Sequence, residues 1–281
     1  MGLLSKKNKP SQKAYAVVTG AGSGIGRSFA LELAKRGGDV ICADIDLSSA
    51  QETVDLIQSM TSTSAYAVHC DVGLKESVHA LAEQAEQLLG HPVTLLINNA
   101  GVGLGGKFDE VSLEDWQWCM HVNLWGVIHG CHYFVPKFKQ QGFGAIINVA
   151  SAAGYTVAPE MTAYNVTKSS VLALSETLAS ELHAYNIAVN VLCPTLVPTN
   201  IMKNGRLPSR YSGLADKLLM NHAFTTSDAV VKKTLNRLDA GKLYTIPQPD
   251  AKLFWWMKRA SPSLYVKLLG LGYPLFNQIT K

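Results

Sequence analysis

A chain of 281 residues, 47% hydrophobic and 16% charged, can bury one large core and is too poorly charged for long disordered tails. A net charge of +4 is too small to argue for a nucleic-acid partner, and none is expected. The five scattered cysteines (Cys42, Cys70, Cys119, Cys131 and Cys193) include no CxxC pair, which excludes a disulfide framework and fits a reducing, cytoplasmic setting.

Residues 1–13 read as a basic tail carrying Lys6, Lys7, Lys9 and Lys13. It lacks a signal-peptide apolar run, and Lys6 stands where a myristoylation signal needs Ser or Thr. No run of about 18 uncharged apolar residues predicts a membrane-spanning helix. From residue 14 short β-branched runs alternate with helical stretches. "AYAVVTG" predicts a strand, "GIGRSFALELAKRG" a helix closed by Gly37, and "DVICAD" a second strand. "LSSAQETVDLIQSM", "SAYAVHCDV", "KESVHALAEQAEQLLG" and "VTLLINNAG" continue the alternation. A long helix over 113–141, the strand "GAIINVAS", a helix over 163–185 and the strand "IAVNVLCPT" follow, and a helix near 227–240 and the strand "KLYTIP" finish the sheet. This rhythm predicts an α/β fold: a doubly wound, mostly parallel sheet of about seven strands, in one domain over 14–249. Residues 196–225 lack a strand signal and read as a substrate loop or lid. Residues 250–281 read as a separate apolar, aromatic extension with interspersed basic residues.

Gly20, Gly22, Gly24 and Gly26 in "VVTGAGSGIGR" sit between a strand and a helix. Glycines allow the sharp turn and close approach that a pyrophosphate needs, and the helix N-terminus adds N–H groups and positive dipole. Ser23 and Ile25 belong to the same expected contact set. Asp44, ending the second strand, suits the adenosine ribose hydroxyls and repels a 2′-phosphate. Ile45, Asp46 and Ser23 supply no cation for such a phosphate, so NAD is expected over NADP. Asp71, with Val72 beside it, meets either the adenine edge or a turn of its own.

These pieces, with "NNAG" at 98–101, "VN" at 122–123, "NVAS" ending in Ser151 and "YNVTK" at 164–168, resemble the short-chain dehydrogenase/reductase family over residues 14–200. The resemblance implies a Rossmann-type domain that binds NAD(H) or NADP(H) and interconverts alcohols and carbonyls. It implies a catalytic tetrad of Asn123, Ser151, Tyr164 and Lys168, with Asn99, Ala100 and Gly101 beside the adenosine and Pro194, Val197 and Thr199 near the nicotinamide. It also implies a homodimer or homotetramer through the helices at 113–141 and 163–185.

Physical chemistry supports the same roles. A free tyrosine has a pKa near ~10, too high for a base near neutrality. Tyr164 and Lys168 lie four residues apart, one helical turn, so the ammonium, together with the positive nicotinamide of an oxidised cofactor, reads as what lowers the phenol's pKa. Ser151 would hold the substrate oxygen, and Asn123 a water that relays the proton. Thr195 stands where the family usually has glycine, so the backbone there is expected to differ.

Ala153, Tyr155, Met161, Leu196 and Met202 form an expected pocket for a hydrophobic alcohol or carbonyl. Lys203, Arg206 and Arg210 read as a solvated face, with an acidic head group such as a carrier phosphate as the alternative; one rival reading of the chain is an NADPH-dependent 3-oxoacyl reductase. A second rival is a non-catalytic NAD(H)-binding sensor. His129 and His132 lack a completing ligand set, and no metal is expected. The extension, with Trp255, Trp256, Leu264, Tyr265, Leu268, Leu269 and Leu271, either packs on the domain or a second subunit, or makes peripheral membrane contact with its basic residues turned outward.

Overall fold

The computed structural model describes residues 9–199, 201, 205–208 and 225–279, the last five of these by backbone alone. Seven parallel strands form one sheet: β1 (Tyr15–Thr19), β2 (Asp39–Asp44), β3 (Ala65–His69), β4 (Leu95–Asn98), β5 (Gly144–Val149), β6 (Ile187–Leu192) and β7 (Tyr244–Thr245). They run in the order β3-β2-β1-β4-β5-β6-β7. Val17 pairs with Ile41 on one side and Leu96 on the other, which fixes the central register.

Continuous apolar runs form these strands because helices cover both faces. Val17, Ile41, Leu96, Ile146 and Val191 face one core, and Val18, Cys42, Ile97, Ile147 and Leu192 the other. The first core is closed by Leu81 of α3 (Lys75–Leu89), Phe134 and Phe138 of α5 (Gly126–Gln141) and Val171 of α7 (Thr162–Glu181). The second is closed by Phe29 and Leu33 of α1 (Gly24–Lys35), Ile57 of α2 (Leu47–Met60) and Leu235 of α8 (Ser227–Asp239). Asp46 caps α2 by accepting from the Ser48 and Ser49 amides, and these bonds with the serine hydroxyls hold its carboxyl down to about 2.

Between β4 and β5 the single expected helix is divided. It comprises α4 (Leu113–Met120), a π-helical turn (His121–Trp125) and α5. The helix expected at 163–185 is α7 followed by a 3-10 turn, His183–Tyr185, and a four-residue helix α6 (Ala153–Thr156) precedes it. The extension consists of α9 (Pro249–Ala260) and α10 (Pro262–Ile279). Its inner face packs on the sheet domain: the Trp255 ring meets Tyr155 and Tyr244 edge-on, and Tyr265 donates its hydroxyl to the Thr156 carbonyl at 3.0 Å.

A buried amide chain ties the sheet to its cover. Asn98 Nδ2 donates to Asn148 Oδ1 at 2.9 Å, and Asn148 Nδ2 to Ser175 Oγ at 3.0 Å. Gly130 lets α5 come this close, since a Cβ there would lie 2.1 Å from Asn98 Oδ1. Asn148→Ala leaves both partners short of a bond inside the core. It is expected to cost about 2–3 kcal/mol, read as a lower urea midpoint at unchanged slope.

All five cysteines are buried. Burial raises Cys42 and Cys131 to about 12 and Cys70 to about 11, against 9.0 for a free thiol. The unfolded chain therefore releases thiol protons first as the pH climbs above 9.0, and the folded state loses stability. Lys168, lowered to about 8 from 10.5, works the other way as one group against several. Melting temperature is expected to fall between pH 9 and the folded thiols' range; a rising profile would contradict this assignment.

Candidate active site

The strand order reverses between β1 and β4, so the loops leaving their C-terminal ends diverge and open a crevice. A cleft of about 720 Å³ occupies it. At one end lies the glycine turn. Gly20 has φ +66, and Asn99 Nδ2 donates to the carbonyls of Thr19 at 2.9 Å and Gly20 at 3.2 Å. A Cβ on Gly26 would sit 1.9 Å from the Gly20 carbonyl oxygen, so the first helical turn can close on the loop only with glycine there. Ser23 at the head of α1 makes no side-chain cap, which leaves first-turn N–H groups for an anion.

Asp44 accepts from the Gly22 amide at 2.8 Å and from the Asp46 amide at 3.0 Å. It braces the turn and also lines the cleft. Gly20, Ser23, Gly24, Ile25, Asp71, Val72, Asn99, Ala100 and Gly101 line the cleft as well, whereas Gly22 and Gly26 shape the turn behind it. Asp71, which lines the cleft, also forms a turn of its own: its Oδ1 accepts from the Gly73 amide at 2.9 Å. Sequence reasoning passed over Arg27, beside the glycine motif. Its Nη2 bonds to Glu52 at 2.9 Å and to the Gly22 carbonyl, and its Nε to Thr53 at 3.0 Å, so these two nitrogens are turned to the α2 side. A glycine turn, an uncapped helix start and an acid across from it fit the pyrophosphate and ribose of a dinucleotide.

At the other end β5 delivers Ser151, and α7 delivers Tyr164 and Lys168 on its buried face, 8% and 2% exposed. Ser151 Oγ accepts from the Ala153 amide at 3.1 Å and donates to the Pro194 carbonyl at 3.4 Å. Burial pushes the Tyr164 phenol up to about 12, with a hydrogen bond from Ser151 pulling the other way. Lys168 Nζ donates to the Val149 carbonyl at 3.0 Å and stands 5.6 Å from the centre of the Tyr164 ring. Burial lowers the ammonium to about 8. The expectation couples Lys168 with the positive nicotinamide of an oxidised cofactor in lowering the phenol; among the groups of the chain itself, burial has the largest effect on it.

Asn123 sits in the π-helical turn with no solvent exposure. Its Oδ1 accepts from the Val102 amide at 2.8 Å and its Nδ2 donates to the Val102 carbonyl at 2.9 Å. It clamps the loop after "NNAG" and does not line the cleft. Pro194, Val197 and Thr199 do line it. Thr195 avoids positive φ, and its amide donates to Gln248 Oε1 at 3.2 Å, so residues after β7 hold this turn.

Of the expected substrate pocket, Ala153, Met161 and Leu196 line the cleft. Tyr155 does not: its ring is turned onto Trp255, with centroids 4.9 Å apart, and its hydroxyl donates to the Ala251 carbonyl at 3.2 Å. Met202, Lys203 and Arg210 lie outside the described residues. Arg206 pairs with Asp115 and stacks over Trp118 at 4.1 Å. Sequence reasoning missed three wall residues from the extension, Phe254, Tyr265 and Leu269, together with Leu104 and Trp118. Their apolar character was visible; that the chain folds back to the cleft was not.

A family model described as short chain dehydrogenase matches residues 14–208. Among curated relatives, the probable oxidoreductase EphD of Mycobacterium tuberculosis is 36% identical over 186 residues, which is 66% of this chain and 31% of that protein. The chain thus spans about a third of the length of EphD. The putative oxidoreductase SadH of the same organism is 29% identical over 93% of this chain and 95% of its own length. Cyclohexanol dehydrogenase of an Acinetobacter strain is 36% identical over 69% of this chain and 77% of its own. Among solved structures, a short chain dehydrogenase/reductase from Burkholderia phymatum in complex with NAD superposes with a TM-score of 0.83 at 32% identity, covering 91% of this chain and 96% of its own. A short-chain dehydrogenase from Sphingobium yanoikuyae in complex with NADPH gives 0.75 at 25% identity, covering 90% and 94%.

Gly26→Ala drives a methyl group into the Gly20 carbonyl. It is expected to lower the melting temperature and to weaken dinucleotide binding at least about tenfold by calorimetry. Unchanged affinity and melting would show that the turn yields without cost.

Proposed function

Because the chain belongs to the short-chain dehydrogenase family of oxidoreductases, which uses nicotinamide cofactors, we propose that it interconverts a hydrophobic alcohol and its carbonyl with NAD as the preferred cofactor. The observation that carries this reading is the group of half-buried Ser151 with buried Tyr164 and Lys168 at one end of a largely apolar cleft whose other end is a glycine turn. A bound nicotinamide dinucleotide supplies the hydride acceptor or donor, and in its oxidised form a positive charge.

The chain's residues supply the rest. The Ser151 hydroxyl holds the substrate oxygen. Tyr164 gives its phenolic proton to a carbonyl oxygen in reduction and, as phenolate, takes the proton of an alcohol in oxidation. Lys168 keeps a cation beside the ring. Asn123 acts through position, fixing the Val102 loop across from Lys168. Asp44 faces the cleft with an unneutralised carboxylate while Arg27 is tied to Glu52, which favours ribose hydroxyls over a 2′-phosphate. Leu104, Leu196, Leu207, Phe254 and Leu269 give the cleft the apolar walls of a hydrophobic substrate site. The likeness to cyclohexanol dehydrogenase supports a secondary alcohol. Arg206, committed to Asp115, speaks against an acidic carrier group. A single catalytic unit over 14–249, assembled as a dimer or tetramer through α4, α5 and α7, completes the proposal; Trp125 of the π-helical turn between α4 and α5 and Val166 of α7 stand exposed.

Three outcomes are expected. Tyr164→Phe keeps NADH binding and loses turnover by about 10²–10⁴-fold in a panel of alcohols and ketones; near-wild-type turnover would sink the mechanism. Asp44→Ala raises the kcat/KM ratio for NADP over NAD, and an unchanged ratio would show that Asp44 is only a turn brace. Since burial holds the phenol protonated at neutral pH, reduction proceeds there and falls as the phenol ionises, while oxidation climbs with pH. Parallel profiles for the two directions would overturn the assignment of the proton to Tyr164.

A further inference from the structure

Both helices of the extension present two faces. Ala251 and Trp255 of α9, and Tyr265, Leu269 and Tyr273 of α10, turn toward the domain. The opposite faces are apolar too. On α9, Leu253 is 58% and Trp256 69% exposed; on α10, Leu264 is 54%, Leu268 49% and Leu271 67% exposed. Leu264, Leu268 and Leu271 follow helical spacing, so they form one stripe along α10. A helix apolar on all sides lies in a core or against a bilayer, and α10 is at the surface. No helix among the described residues is long and apolar enough to cross a membrane.

The charges of these helices are mostly positive. Lys252, Lys258, Arg259 and Lys267 stand against Asp250 alone. Arg259 lies over the Trp255 ring at 3.9 Å, and partial burial lowers the Lys258 ammonium, both signs of cations lying along apolar surface. The same helices wall the cleft through Phe254, Tyr265 and Leu269.

We propose that α9 and α10 form a docking surface for an anionic lipid bilayer, lying in its interface with the cleft beside it. Exposed Trp and Leu enter the headgroup boundary while the lysines meet anionic phosphates. A second copy of the chain is the poorer occupant, because a two-fold contact would set this basic patch against itself. The consequence for access, that an apolar substrate passes from the bilayer into the cleft, rests on the proposed activity; the docking does not.

Flotation of the full chain tests it, with phosphatidylcholine vesicles with and without phosphatidylglycerol. Wild type is expected to float with the anionic vesicles and about tenfold less with pure phosphatidylcholine or at high salt. The variant Trp256→Ser/Leu268→Ser/Leu271→Ser, and separately Lys252→Glu/Lys267→Glu, should lose flotation by a similar factor. Both should keep wild-type melting, NADH affinity and sedimentation. Failure of wild type to float, or undiminished flotation of both variants, overturns the proposal. So does dissociation of an oligomer in the serine variant, which would make this face a contact between copies. Flotation reads docking independently of turnover, so it distinguishes this proposal from failure of the proposed activity.

Discussion

Everything at the site depends on keeping an ammonium group out of water. Lys168 is almost fully buried, and an isolated cation in a low-dielectric interior is costly. The structure answers with the Val149 carbonyl at the end of β5 and the Tyr164 ring face on the same helix. That requirement places α7 against β5 and brings Ser151 beside the phenol. It also explains the lowered pKa of the lysine, which holds its charge near neutrality with little to spare.

The phenol shares this environment. Burial raises it to about 12, which favours its protonated form. Position within the fold, rather than the tyrosine–lysine spacing alone, decides which protonation state stands ready. The clamp from Asn123 to both backbone groups of Val102 belongs to the same arrangement. A π-helical turn at that position swings the amide inward, a local departure of the kind found at functional sites.

Much of the fold was legible in the sequence. Continuous apolar strands between glycine-closed helices gave a parallel sheet covered on both faces, and "DVICAD" and "GAIINV" lie where they were expected. The glycine turn was legible because its reason is local: residues within one turn of each other collide unless they lack a Cβ. The division of the 113–141 helix was not, because His121–Trp125 contains no proline or glycine; a buried asparagine bonded to a distant loop marks the π-helical turn. Tyr155 looked like a pocket residue by its nearness to Ser151. It turned away because Trp255, 100 positions later, offers it a ring to pack on.

The sequence by itself determined the alternation of strands and helices, a glycine turn suited to a phosphate group, and the identity of the groups to which the proposed mechanism assigns the proton. Those follow from periodicity, backbone freedom and side-chain chemistry, all set by near neighbours. Only the tertiary structure decided that burial governs the phenol, that Gln248 holds the Thr195 turn, and that the extension walls the cleft while showing a second apolar face to its surroundings. Each of these depends on which surfaces meet across long stretches of chain, and complementarity at that distance leaves no local pattern to read.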